Sequence, residues 1–290
     1  MIQRLVIAGV GLIGGSLALA LKAKQYCHEI VGFGRDEASL CHAYELGVID
    51  RFSTSAEEAL AGAEVVLLAV PMQAMLPVLN SMQPYLPEHA ILTDAGSTKQ
   101  SVIHEVEQVF GPNFSRFVPG HPIAGREKSG VAAALPDLYE GRRVILTPTP
   151  STDAQALQTI ATMWQVAGGR VEYMTPALHD QVLAATSHLP HVLAFALVDT
   201  LLKLPDHDDI LRYAGGGFRD STRIASSDPT MWRDICLTNT GAIVEVVEAL
   251  RENLAEFITM MQQQDGEGLH NRMATVKQAR DAYMSKYDAR

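Results

Sequence analysis

"RLVIAGVGLIGGSLALAL", residues 4–21, decides the fold. It opens as an apolar run of strand length, and from Leu12 onward its apolar positions recur at helical spacing. Gly9, Gly11 and Gly14 stand at the junction in G-x-G-x-x-G spacing. Alone that spacing is weak; between a strand and a helix it has the context a dinucleotide-binding turn requires. Gly9 then allows the tight turn, Gly11 the close approach of a pyrophosphate, and Gly14 the packing of helix on strand. The phosphates meet amide groups at a helix N-terminus, where the dipole favours anions.

The same grammar continues outward. "EIVGFG" (29–34), "EVVLLAV" (64–70), "AILTDAG" (90–96) and "RRVILTP" (142–148) read as buried strands. Helical patterns over 12–24, 36–46, 74–83 and 98–109 lie between them. Such alternation predicts an α/β Rossmann-type, doubly wound parallel sheet, with "RVEYMTP" (170–176) as a last strand and exit. After Pro176 the runs 177–203, 228–262 and 267–287 are helical, with no strand among them. The expected organisation is a dinucleotide-binding domain over 1–174 and an all-helical domain over 175–290.

Bulk properties narrow the function. The 290 residues are 47% hydrophobic with a formal net charge of −10, which argues against nucleic acid or an anionic membrane as main partner. Cys27, Cys41 and Cys236 are scattered without metal-ligand spacing, as suits a reducing cytoplasm. The start has no secretory cleavage pattern, and "LPHVLAFALVDTLL" (189–202) is too short to span a bilayer.

The second strand bears on coenzyme choice. Gly34 and Arg35 stand where a carboxylate for the NAD ribose is expected, about 20 residues past the third glycine. A guanidinium grips a 2′-phosphate, so the residues favour NADP; Asp36, one step later, keeps NAD as the alternative. Coenzyme contacts are expected at Gly9, Gly11, Leu12, Ile13, Gly14, Gly34, Arg35, Val70 and Pro71.

Chemistry gathers elsewhere. Ser97, Thr98 and Lys99 in "LTDAGSTKQ" (92–100) fall at the carboxyl edge of the sheet, where open α/β folds bind ligands; Thr98 serves equally well as a helix cap. "PGHPIAGREKSG" (119–130) reads as a rigid loop around His121, with Arg126, Glu127 and Lys128 at its rim. His188 and His191 lie three apart on an apolar helix, on one face, with Pro190 bending it between them. No third ligand accompanies them at metal-binding spacing, so no metal is expected; a pair bonded only to backbone is the alternative to a pocket wall.

"GVGLIGGSLA", "DAGSTK", "PGHPIAGREKSG", "TSHLPH" and "GGGFRDSTRIASSDPTMWRDI", in this order across nearly the whole chain, resemble the prephenate and arogenate dehydrogenase family of tyrosine biosynthesis. The resemblance implies oxidative decarboxylation of a cyclohexadienol and a homodimer formed through the helical domain. It implies that His121 accepts the proton of the ring hydroxyl, with Ser97 at the same hydroxyl and Arg223 binding substrate. A neutral imidazole with a pKa of about 6.5 suits that task at cytoplasmic pH. Asp220 and Glu127 are expected to orient Arg223 ionically. Trp232 matches a position near the substrate, though a core tryptophan reads the same way. Arg126 departs from the small residue common in the family and brings an extra cation to the rim. With the chain ending soon after its last helix, neither a fused mutase nor a separate regulatory domain is expected. Two other readings share features with this one. A β-hydroxyacid dehydrogenase has the glycine turn and a helical second domain, but would use a lysine where this chain has histidines. A non-catalytic dinucleotide sensor has no use for His121, Ser97 and Arg223 together.

Overall fold

The computed structural model describes residues 1–126 and 128–287. Met1–Thr240 form one compact unit and Gly241–Arg290 a second.

The first unit begins with β1 (Ile2–Ala8), α1 (Leu12–Ala23), β2 (Cys27–Phe33), α2 (Glu37–Glu45), β3 (Arg51–Ser53), α3 (Ala56–Leu60), β4 (Val65–Leu68), α4 (Met75–Met82), β5 (Ile91–Asp94), α5 (Gln100–Phe110) and β6 (Phe117–Val118). Six parallel strands pair in the order β3-β2-β1-β4-β5-β6. Side chains of a strand alternate between faces. Leu5, Ile7, Val65 and Leu67 therefore join Leu17 and Leu21 of α1 in one core, while Val6, Ala8, Val66 and Leu68 join Met75, Leu79, Val102 and Val106 in the other. Both faces are covered, which is why these strands read as unbroken apolar runs. Ala8 pairs with Leu68, and Leu68 with Asp94, so the carboxyl ends of the three central strands stand in one row.

Then come β7 (Gly120–Pro122), β8 (Arg143–Leu146), α6 (Ala154–Val166) and β9 (Arg170–Tyr173). Here the structure departs from the sequence pattern. These three strands form a separate sheet, β7 antiparallel to β8 and β8 parallel to β9. His121 lies on a strand, opposite Ile145, rather than in a loop. Three residues flanked by Pro119 are too few to show a period of two, and only the partner strand fixes them.

The remainder is helical: α7 (Pro176–Leu183), a π-helical turn (Ala184–His188), α8 (Leu189–Leu202), α9 (His207–Arg212), α10 (Gly216–Thr222), a 3₁₀ turn (Arg223–Ser226), α11 (Pro229–Thr238), α12 (Thr240–Gln262) and α13 (Gly266–Tyr287). No strand follows Tyr173 among the described residues. Pro190 lacks the N–H a continuous helix would use, and the wide turn that absorbs the defect ends two residues before it. The expected helix over 228–262 breaks at Asn239, whose φ of −124° and ψ of 34° are not helical. In the second unit Arg272 of α13 reaches Glu256 at 2.9 Å and Asn253 at 3.2 Å on α12.

Candidate active site

The turn after β1 is built for close backbone approach. Gly9 has φ +94°, and a Cβ there would lie 2.5 Å from the Ala69 carbonyl oxygen and 2.9 Å from Val70. A Cβ on Gly14 would lie 2.4 Å from the Gly9 oxygen, so helix and strand touch through it. Gly11, the N-cap of α1, faces open space and supplies no side-chain cap. The leading amides of Leu12, Ile13 and Gly14 thus point outward at a helix N-terminus, as an anion site requires. Pro71, just past β4, opens a short 3₁₀ turn in the same row of strand ends. At the tip of β2, Gly34 is followed by an exposed Arg35. Asp36 is committed elsewhere: it caps α2, accepting from the Ala38 amide at 3.2 Å and from the Ser39 hydroxyl.

His121 stands at the same edge of the main sheet, because the Gly120 amide donates to Asp94 Oδ1 at 3.0 Å at the end of β5. Its Nδ1 lies 2.9 Å from Nε2 of His179 on α7. His179 Nδ1 lies 2.8 Å from Asp180 Oδ1. The carboxylate has further donors, the amides of Lys99 at 2.8 Å and Gln100 at 2.9 Å, and so closes the N-terminus of α5 from another element.

Donor and acceptor rules assign the tautomers. Asp180 accepts only, so His179 carries its proton on Nδ1 and leaves Nε2 bare. His121 must then donate from Nδ1, leaving its own Nε2 as a free acceptor. Burial, then the neighbouring His179, Lys99 and His188, hold His121 well below the ordinary imidazole value. Burial likewise lowers His179, against the pull of Asp180. His121 is a neutral base with its lone pair available.

The wall continues from this pair. The Asn239 amide nitrogen donates to the Asp180 carbonyl at 2.9 Å and lies 3.3 Å from His188 Nδ1. Burial pushes His188 down to about 4. Trp232 meets His188 edge-on at 6.1 Å and stacks on His191 with ring centroids 3.6 Å apart. The indole N–H is buried with no acceptor among the described residues. His191 accepts no charge easily: burial, then the Arg223 guanidinium, lowers it, while its Nδ1 donates to the Ser187 carbonyl at 2.9 Å. A series of neighbouring groups therefore links Arg223 through His191, Trp232, His188 and Asn239 to Asp180 behind the His121–His179 pair.

The stretch Pro176–Leu202 is long and apolar enough to cross a membrane by length and composition. Its His179, Asp180 and His188 are buried and bonded to Lys99, Gln100, His121 and Asn239, which fixes it against polar partners of its own unit.

Comparison with known proteins identifies the family. Residues 17–173 match the family described as "Prephenate dehydrogenase, nucleotide-binding domain", and residues 175–275 match "Prephenate dehydrogenase, dimerization domain". The chain belongs to the prephenate dehydrogenase family. It is 38% identical to the cyclohexadienyl dehydrogenase of Zymomonas mobilis over 99% of this chain and 98% of the relative. Among solved structures it resembles prephenate dehydrogenase from A. aeolicus in complex with hydroxyphenyl propionate and NAD+, with a TM-score of 0.91, 40% identity and coverage of 98% and 99%. Synechocystis arogenate dehydrogenase follows with a TM-score of 0.82, 29% identity and coverage of 97% and 100%.

Ser97 is half-buried in the turn from β5 to α5. Thr98 bonds Ser101 at 2.8 Å and Thr238 at 3.0 Å, a structural knot. Asp220 is exposed on α10, one turn before Arg223. Arg126 is exposed and donates to the Ala133 carbonyl at 3.5 Å. Glu127 lies outside the described residues. Sequence reading missed His179, Asp180 and Asn239. "LHD" (178–180) gave one usable signal, two polar residues on a helix whose other members are largely apolar.

Proposed function

We propose that the chain catalyses NAD(P)-dependent oxidative decarboxylation of prephenate, arogenate or both, giving 4-hydroxyphenylpyruvate or tyrosine. The observation that carries this is the hydrogen-bonded series His121–His179–Asp180, which leaves a bare imidazole nitrogen at the sheet edge bearing the glycine turn. The glycine turn fits a dinucleotide, since Gly9 and Gly14 have no room for a Cβ and Gly11 leaves the helix N-terminus open. When bound, the coenzyme accepts hydride from the ring carbon that bears the hydroxyl. His121 takes the hydroxyl proton at Nε2, and His179 and Asp180 spread the resulting charge. Ser97 is read as a second hydrogen-bonding group at that hydroxyl. Arg223, Trp232 through its indole N–H, His191 and His188 are read as the groups that hold the substrate's acid functions, with Asp220 and Glu127 orienting Arg223 and Arg126 supplying a further cation. Loss of CO₂ then yields the aromatic ring.

Residues 1–174 are read as the nucleotide-binding domain and 175–290 as the substrate-binding and dimerisation domain. The chain is read as a cytoplasmic homodimer; exposed Leu178, Val182, Leu193 and Leu202 on α7 and α8 support the dimer by giving a second copy an apolar surface to cover.

NADP is the preferred coenzyme in this reading, with NAD accepted, because Arg35 is exposed at the β2 tip while Asp36 is engaged as a cap. Arg35→Ala is expected to raise KM for NADP about tenfold and leave KM for NAD unchanged, since one charge-assisted bond to phosphate is lost. Parallel rises for both coenzymes would count against the assignment. Following coenzyme reduction with prephenate, arogenate and a simple β-hydroxy acid tests the function itself. Turnover of the hydroxy acid alone would overturn it.

A further inference from the structure

Among the described residues Lys99 carries the one fully buried ammonium, and the proposed chemistry gives that ammonium no role. Its Nζ forms an ion pair with Asp94 Oδ2 and donates to the Gly120 carbonyl at 2.6 Å. Asp94 in turn accepts from the Gly120 amide at 3.0 Å and the Gly96 amide at 2.8 Å. Both backbone groups of the residue before His121 are thus held by one ion pair. The Lys99 amide, at the opposite end of the same residue, donates to Asp180 at 2.8 Å, the carboxylate behind His179.

We propose that Lys99 is a positioning residue for the proton-accepting pair, setting His121 through its ammonium and His179 through its amide. The proposal rests on the reading of His121 as the base. A buried ion pair is weak evidence of stability, because desolvation offsets its attraction, so its retention here calls for another reason. The geometry supplies one. The 2.9 Å bond between two imidazoles on different elements, β7 and α7, survives only if both are referenced to a common point, and Lys99 is that point. A displacement of about 1 Å in such an arrangement costs roughly 10²-fold in rate.

Its charge also faces the pair. The groups around His121 are His179 and Asp180 from α7, His188 from the π-helical turn, Asp94 from the end of β5 and Lys99 from the N-cap of α5; opposite it β8 places Val144, Ile145 and Leu146. Glu105 on α5 faces Asp94 in turn, and burial pushes it up to about 7. Lys99 disfavours protonation of both imidazoles. Removing that cation makes proton uptake easier, so the acid limb of the rate profile moves to higher pH.

The test uses Lys99→Met and the double variant Asp94→Asn/Lys99→Met, which leaves no buried charge without a partner. Dissociation of NADP, KM for prephenate, kcat and the pH dependence of kcat are measured on the full chain. The expected result is unchanged NADP affinity, a fall in kcat of about 10²-fold in both variants with little change in KM, and an acid limb displaced upward in Lys99→Met. A kcat near that of the parent, a loss confined to NADP affinity, or an unmoved acid limb overturns the proposal. Failure of both variants to fold would assign the pair to stability alone and overturn it equally. Collapse of His121→Asn beside an active Lys99→Met refutes only this inference, whereas an active His121→Asn refutes the reading beneath it.

Discussion

His121→Asn is expected to lower kcat by roughly 10²–10⁴-fold, the usual contribution of a positioned general base, while NADP binds as before. Asparagine keeps a donor for the His179 Nε2 partner and so preserves the local packing, but its amide cannot take a proton. The parent enzyme should stay active well into the acid range. Its His121 is held below the ordinary value of about 6.5, so it picks up a proton only at lower pH, and activity falls as pH drops through that depressed value. The residual activity of the variant should lack this acid limb. Steady-state rates with prephenate between pH 4 and 9, beside NADP titration by fluorescence, give both quantities. Unchanged kcat in a folded variant removes the assigned role.

What could be read in the sequence divides by the range of the interaction that fixes it. The glycine turn was legible because Gly9 and Gly14 answer to neighbours along β1, α1 and β4, each announced by its own apolar run. His121 was legible as a residue but not as a strand member, since its place opposite Ile145 depends on a partner 24 positions away. Residues 142–148 had the right local pattern for a strand and no signal for which sheet it joins. Asn239 hid inside a stretch of helical periodicity, because a helix that stops for one residue and restarts keeps its composition. His179 and Asp180 carried the least signal of all. A polar pair in the second turn of a helix ordinarily faces solvent, and only the packing of α7 on α5 turns it inward to meet Lys99 and Gln100.

Asp180→Asn separates that packing role from the chemical one. In the parent the carboxylate accepts from two backbone amides, from the Gln100 side-chain amide at 3.3 Å and from His179, four donors on two oxygens. Asparagine retains one acceptor oxygen and presents an NH₂ group on the other side. If the oxygen stays on His179, the NH₂ opposes the Gln100 amide and the start of α5 loses a charge-assisted bond, a cost of about 1.5–3 kcal/mol. If the NH₂ turns to His179 instead, Nδ1 must become the acceptor and the proton moves to Nε2. His179 then donates to His121 Nδ1, and the remaining proton of a neutral His121 sits on Nε2, where the base needs its lone pair. Either outcome lowers kcat, the second by inverting both tautomers at a distance from the substrate. In Ser-His-Asp sites the equivalent loss costs about 10⁴-fold. With one more imidazole intervening, a fall of about 10²-fold in kcat is expected, at nearly constant KM for prephenate and NADP. Histidine ¹⁵N shifts should show protonated Nε2 on both rings in the inverted form, and a urea midpoint should register the lost helix cap. A folded Asp180→Asn enzyme with parental kcat would show that the carboxylate only closes α5, and that His121 takes its proton without help from behind.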